Sequence, residues 1–397
     1  MDVFKNITML SLEQATVLPY LTYRLAMDGC RVIRLEHPVY GDPNRLVGEP
    51  VIPGEERMNS YFMAINAGKE AVTLNLGDPK GQQILKRLIR DLKVDIFATN
   101  QLPRNYRKLG IDYETLKTVK EDLIWLGITG FGPDSNEAAY DPILQARGGL
   151  MELTGEADGS PQVAGIPLPD MGTSEHCYGL IMKALFVRAV TGRGSVINMS
   201  MFESTTSWLT VPITMTASFG KTISRRGNTH EFFAPVSVYP TSDGFVYIAV
   251  GNDKQWKAFS SLPEFSLLHK DEYAKNAGRI ADVKQINKTI EDATRAMTTR
   301  ELIEKMNGIG VAASKIQSIE EVTNDPLVSR KLLKAVDERS GVVLTLAPPP
   351  HDTPFIEAAG RRLSFPPRFG EHNESILGNE LGLTSEEISV LKSEGII

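Results

Sequence analysis

Residues 7–35 read ITMLSLEQATVLPYLTYRLAMDGCRVIRL, and their pattern sets the fold class. Ile7 to Leu12 is an apolar run of strand length. Leu18 to Asp28 carries apolar residues at helical spacing, and Gly29 closes it. Arg31 to Leu35 is a second run of strand length. Strand, helix and strand at this spacing predict a parallel α/β unit. No G-x-G-x-x-G follows the first strand, which argues against a dinucleotide site.

The alternation continues outward. Ala71 to Leu76 reads as a strand, and Asp78-Pro79 opens a helix with Ile84, Leu85, Leu88, Ile89 and Leu92 on one face. Asp95 to Ala98 and Leu123 to Ile128 are further strands, and Asp141 to Leu153 is helical. Four strand ends deliver Glu36 and His37, Leu74 and Asn75, Asn100 to Arg104, and Thr129 to Gly132. Ligand groups collect at the carboxyl ends of parallel strands, so these four ends line one crevice. Taken singly, Glu36 and Asp42 read equally well as plain loop acids.

A second informative stretch is Pro161 to Phe202. Asp170 falls in a Gly- and Pro-rich loop ahead of a helix that Thr173 or Ser174 caps, with Glu175 in its first turn. Cys177 to Val190 is apolar nearly all round, which predicts burial on most faces. Thr191-Gly192-Arg193-Gly194 ends the helix, and Val196 to Met199 is a short strand. An acid at a helix N-terminus is often only a cap. The same field favours an ionised carboxylate, which is a nucleophile.

Met201 to Phe219 continues as helix, and the composition breaks at Lys221 to Asn228. Beyond it, Val236 to Tyr239 and Phe245 to Val250 flank the hairpin signal Thr241-Ser242-Asp243-Gly244. A helix through Trp256 and Phe259, which read as core, and a strand at Val311 to Ile316 complete a smaller α+β domain. The expected domains are residues 1–220, 221–330 and a return to the large domain over 331–397. With 42% hydrophobic and 23% charged residues the chain is an ordinary globular one. A net charge of −6 gives no general case for nucleic acid. The two cysteines, Cys30 and Cys177, lack metal-ligand spacing and suit a reducing compartment. No apolar run reaches membrane-spanning length, and MDVFKNITML lacks the features of a leader. These readings point to the cytoplasm.

In order and spacing the chain resembles the class III CoA-transferases, the family that also holds α-methylacyl-CoA racemase. The resemblance rests on Val32 to Pro38 with Gly41-Asp42, Asn66 with Gly68-Lys69, Thr73 to Leu76, Asn100 to Pro103 and Leu109-Gly110. It extends through Gly130-Phe131-Gly132, Asp170, Thr191 to Gly194, Asp243-Gly244, Pro366 to His372 and Leu381-Gly382. It implies a large Rossmann-like domain built from both chain ends, a smaller inserted domain, and two chains interlinked as a homodimer or as a heterodimer with a paralogue. It puts the family's nucleophile on Asp170 and its CoA contacts on His37, Leu74, Asn100, Gln101 and Arg104. CoA enters as part of the substrate, and no metal or resident cofactor is implied.

The implied reaction moves CoA from an acyl-CoA, such as succinyl-CoA, to a free acid through an aspartyl mixed anhydride and an aspartyl-CoA thioester. Arg104 is the first choice for the CoA phosphates, backbone N–H groups near Gly172 to Ser174 or a glycine of the second domain are candidate oxyanion donors, and Arg225-Arg226 would suit a dicarboxylate. The sequence departs from the family at Thr16-Val17-Leu18-Pro19, where a Gln-Ala-Gly-Pro or Leu-Ala-Gly-Pro run is common, at Ser174 and at Gln101 to Arg104. Two alternatives stand beside this reading. One is a racemase-like isomerase, for which Tyr140 replaces the expected His and His176 is the remaining base. The other is a CoA-binding partner subunit without chemistry.

Overall fold

The computed structural model of the protein describes residues 3–397. Met1 and Asp2, which open the segment read for a leader, lie outside the described residues. Chain contacts divide it into two units. The larger comprises 1–149, 164–214 and 327–397, and the smaller comprises 150–163 and 215–326. Residues 150–163 thus cluster with the smaller unit, a grouping not anticipated from the sequence.

The larger unit is built on six strands: β1 (Thr8–Leu12), β2 (Arg31–Glu36), β3 (Lys69–Thr73), β4 (Ile96–Thr99), β5 (Ile124–Thr129) and β6 (Ser195–Ser200). They lie in the order β3-β2-β1-β4-β5-β6, every pair parallel. The order reverses between β1 and β4, so the crevice beyond their carboxyl ends is the switch point of a Rossmann-type sheet. Alternation along each strand sends residues to opposite layers. Met9, Val32, Ile96 and Leu126 face a core shared with α1 (Val17–Met27). Leu10, Ile33, Leu35 and Phe97 face a second core with α2 (Pro79–Asp91), whose N-cap Asp78 accepts from the Lys80 N–H at 2.7 Å.

Three expected elements differ. The helix expected over Asp141 to Leu153 splits into α3 (Asp141–Arg147) and a turn at Leu150–Leu153, because Gly149 between them is left-handed at φ +79°. The helix expected after Asp170 instead starts before it, as α4 (Leu168–Thr191). Pro169 fits the first turn, where its missing N–H has no partner to lose. Asp170 is therefore in that turn and not in a loop, and Thr173 and Ser174 are buried inside the helix. Burial on most faces is also corrected. Cys177, Ile181 and Ala184 are buried, but Phe186 and Val190 are 71% and 69% exposed. Beyond β6 the chain forms α5 (Met201–Thr206) and α6 (Thr210–Phe219), where one helix was expected.

The smaller unit pairs β7 (Val236–Thr241) with β8 (Gly244–Ala249) as an antiparallel hairpin, and β9 (Ala312–Lys315) adds to β8. Trp256 and Phe259 stack in its core. Arg225 is ion-paired with Glu152 at 2.8 Å and Arg226 with Glu231. Both guanidiniums, expected to suit a dicarboxylate, thus have acidic partners within the smaller unit. Among the described residues no helix is long and apolar enough to cross a membrane.

Candidate active site

Two cavities open at the switch point. One, of about 300 Å³, is lined by residues following β1, β2, β3 and β4, among them Gln14, His37, Leu74, Gln101 and Lys108. The other, of about 110 Å³, holds Asp170 with Gln14 to Val17, Asn100, Gln101, Tyr140 and Asp141. Gln14 and Gln101 line both, so the larger cavity leads to Asp170 across them.

Under this crevice lies a block of buried charge. Glu13, Glu36 and Asp42 face Arg34, Arg45 and Lys69, all buried. Lys69 Nζ meets Glu13 at 3.0 Å, Arg34 meets Asp42 at 2.7 Å, and Arg45 grips Glu36 with two bonds of 2.6 and 2.8 Å. Three anions balance three cations, which is what lets them persist out of water. Burial works against the Glu36 anion, yet Arg34 and Arg45 outweigh it and hold its pKa at about 2. Burial pushes Lys69 down to about 8. Glu36 and Asp42 are therefore ion-paired parts of the site's floor, not loose acids.

Asp170 is half-buried, and no described residue donates a hydrogen bond to its carboxylate oxygens. Burial, reinforced by the Asp141 charge, pushes its carboxyl up to about 7. Asp141 is itself raised by burial. Its Oδ2 accepts the Asp170 N–H at 3.2 Å and its Oδ1 accepts from Gln145 at 2.6 Å. Gly172 makes room for Trp208, whose indole a β-carbon there would meet at 1.6 Å. The Trp208 N–H donates to His176 Nε2 at 3.1 Å, and His176 Nδ1 lies 2.8 Å from Ser204 Oγ. Both ring nitrogens of His176 are engaged, so it is not a free base.

His37, Leu74 and Gln101 come together as expected. His37 packs against Tyr40 with ring centroids 4.7 Å apart and planes tilted by 32°. Asn100 shares the Asp170 cavity, but both ends of its amide are bonded to the Gln14 backbone. Arg104, expected at the CoA phosphates, is exposed and lines neither cavity. Lys108, one turn later in the helix Tyr106–Leu109, is the cation on the larger cavity. The N–H groups of Gly172 to Ser174 lie within α4 and serve its own ladder. The N–H groups of Thr16 and Val17 at the start of α1 are free of that demand, and both residues line the Asp170 cavity. Gln14 was missed. Its signal is a polar residue just past the central strand β1, whose end was not among the four counted.

A Rossmann-type sheet thus carries, at its switch point, a crevice beside an unpartnered carboxylate. The chain belongs to CoA-transferase family III, whose model matches residues 4–373, and it is a CoA-transferase enzyme. It is 33% identical over 378 residues to a succinate–glutarate CoA-transferase of Agrobacterium fabrum, covering 92% of this chain and 93% of the relative. It is 30% identical over 347 residues to a succinyl-CoA:mesaconate CoA-transferase of Haloarcula marismortui, covering 85% of this chain and 86% of the relative. Among solved structures, a CaiB/BaiF family protein from Brucella suis superposes with a TM-score of 0.81 at 30% identity, covering 94% of this chain and 98% of the other.

Proposed function

We propose that the enzyme transfers CoA from a dicarboxylic acyl-CoA such as succinyl-CoA to a second dicarboxylic acid, with Asp170 as nucleophile. The observation that carries this is the unpartnered Asp170 carboxylate in the smaller cavity, which shares Gln14 and Gln101 with the larger one. An Asp170 oxygen attacks the thioester carbonyl, the C–S bond breaks, and CoA thiolate leaves a mixed anhydride. The thiolate attacks the aspartyl carbonyl and releases the donor acid, leaving an aspartyl-CoA thioester. The acceptor carboxylate repeats the first step on this thioester. The thiolate then takes the new acyl group and frees Asp170. One difficult exchange becomes four easier ones with no net proton change.

Each tetrahedral intermediate needs an oxyanion donor, worth about 3–4 kcal/mol. The first N–H groups of α1 and the Gln14 carboxamide are the donors nearest this cavity. His37, Leu74 and Gln101 line the CoA arm, and Lys108 replaces Arg104 as the phosphate cation. Relatives named for succinate, glutarate and mesaconate support the dicarboxylate class. The apolar outer face of α4, with Phe186 and Val190 exposed, supports a dimer, and the reduced-thiol pattern supports a cytoplasmic setting. The engaged nitrogens of His176 speak against proton exchange and hence against an isomerase. The test is a matrix of acyl-CoA donors and dicarboxylic acceptors read by mass spectrometry, with hydroxylamine trapping of the enzyme. At least one pair should exchange CoA and trap on Asp170. Exchange that survives Asp170→Ala overturns the reading.

A further inference from the structure

The turn from β1 to α1 is held by side chains from two other strand ends. Ala15 has φ +61°, a left-handed conformation that a β-carbon disfavours. All four backbone polar groups of Gln14 and Ala15 are met by side chains. Asn100 Nδ2 donates to the Gln14 carbonyl at 2.8 Å, and the Gln14 N–H donates to Asn100 Oδ1 at 3.2 Å. The Ala15 N–H donates to Asp42 Oδ1 at 3.1 Å, and Asn44 Nδ2 donates to the Ala15 carbonyl at 2.6 Å. Asp42 is itself fixed by Arg34 at 2.7 Å and by the Asn44 N–H at 2.9 Å.

Ala15 and Thr16 form the turn that joins β1 to α1. What it achieves is placement. Gln14 sits at the junction of the two cavities, with its carboxamide bonded to no described residue, and Thr16 and Val17 enter the Asp170 cavity. We propose that Asn100 is a positioning residue for CoA transfer, acting with Asp42 and Asn44 to hold Gln14-Ala15 in the left-handed turn that carries the Gln14 carboxamide and the start of α1 to Asp170. This rests on Asp170 being the acylated group. Asn100 acts through the turn: the Gln14 backbone takes one N–H and one lone pair of its amide and fixes the amide plane along that edge. Released from the clamp, Ala15 relaxes towards a right-handed conformation and takes Gln14 with it. CoA still binds along His37, Leu74 and Lys108.

The experiment uses Asn100→Ala in the whole enzyme, with a donor and acceptor pair that the wild type exchanges. The turnover number should fall about tenfold or more, the scale of a misplaced positioning group. KM for the acyl-CoA should stay within about twofold, since ground-state binding is untouched. Amide hydrogen exchange at residues 13–17 should rise. Adding Ala15→Gly to Asn100→Ala should recover about threefold or more of the lost turnover, because glycine adopts a left-handed φ without a Cβ penalty. A raised KM with unchanged turnover, unchanged exchange in the turn, or no recovery in the double variant each overturns the proposal. Failure of the functional reading shows differently, as a wild type that traps no acyl group on Asp170. The exchange measurement decides the clamp in either case.

Discussion

Asp170→Asn should make this protein more stable while ending its activity. The native carboxyl titrates near 7, against 3.8 for a free aspartate, because burial and Asp141 disfavour the anion and no hydrogen bond supports it. In the unfolded chain the group ionises freely above pH 3.8. The protonated form's contribution to stability is therefore complete below pH 3.8 and is lost as pH rises through about 7. At pH 8 that difference amounts to about 4 kcal/mol, and at pH 5 to about 2 kcal/mol. Asparagine has the same shape and no charge to desolvate, so it should recover a gain that grows across this interval. Water reaching the half-buried carboxyl lowers both figures, so the growth from pH 5 to pH 8 is the quantity to read. Urea unfolding of wild type and variant at pH 3, 5 and 8 measures it. Equal stability at pH 8, or a gain independent of pH, would refute the picture of an unsupported buried carboxylate. A nucleophile bought at the expense of fold stability is a familiar trade.

The acid limb of kcat/KM should lie near pH 7, with activity at pH 6 about one-tenth of its plateau, since only ionised Asp170 attacks. Asp141→Asn removes a like charge and should move that limb to lower pH, though not down to 3.8, because burial is the larger cause; a limb that stays put or rises would count against the pairing. Lys108→Ala should raise KM for acyl-CoA about tenfold with turnover nearly unchanged, while Arg104→Ala should leave both within about twofold. The reverse ranking in steady-state kinetics would restore Arg104.

The sheet was legible because its strands are short apolar runs set between capped helices, and Asp78-Pro79 and Thr241 to Gly244 carry local chemistry that needs no tertiary context. Asp170 was legible as a residue but not in its setting. Pro167 and Pro169 read as loop, yet the first turn of a helix accepts proline, and only packing on Trp208 and α1 decides between the two. Arg104 and Lys108 lie four residues apart in a short 3-10 and α-helical turn, and sequence spacing alone gave no phase to say which faces the cavity. Glu36 and Asp42 looked like loop acids because their partners Arg45 and Arg34 are recognisable as partners only once the strands are assembled.

The neutral block of Glu13, Glu36, Asp42, Arg34, Arg45 and Lys69 constrains how such an enzyme changes acids over time. Any lone replacement there strands an opposite charge away from water, so the foundation can be altered only by matched pairs. Laboratory selection for new acyl specificity should therefore collect its mutations at the crevice mouth, around Tyr40, Gln101 and Tyr140, and leave the foundation alone.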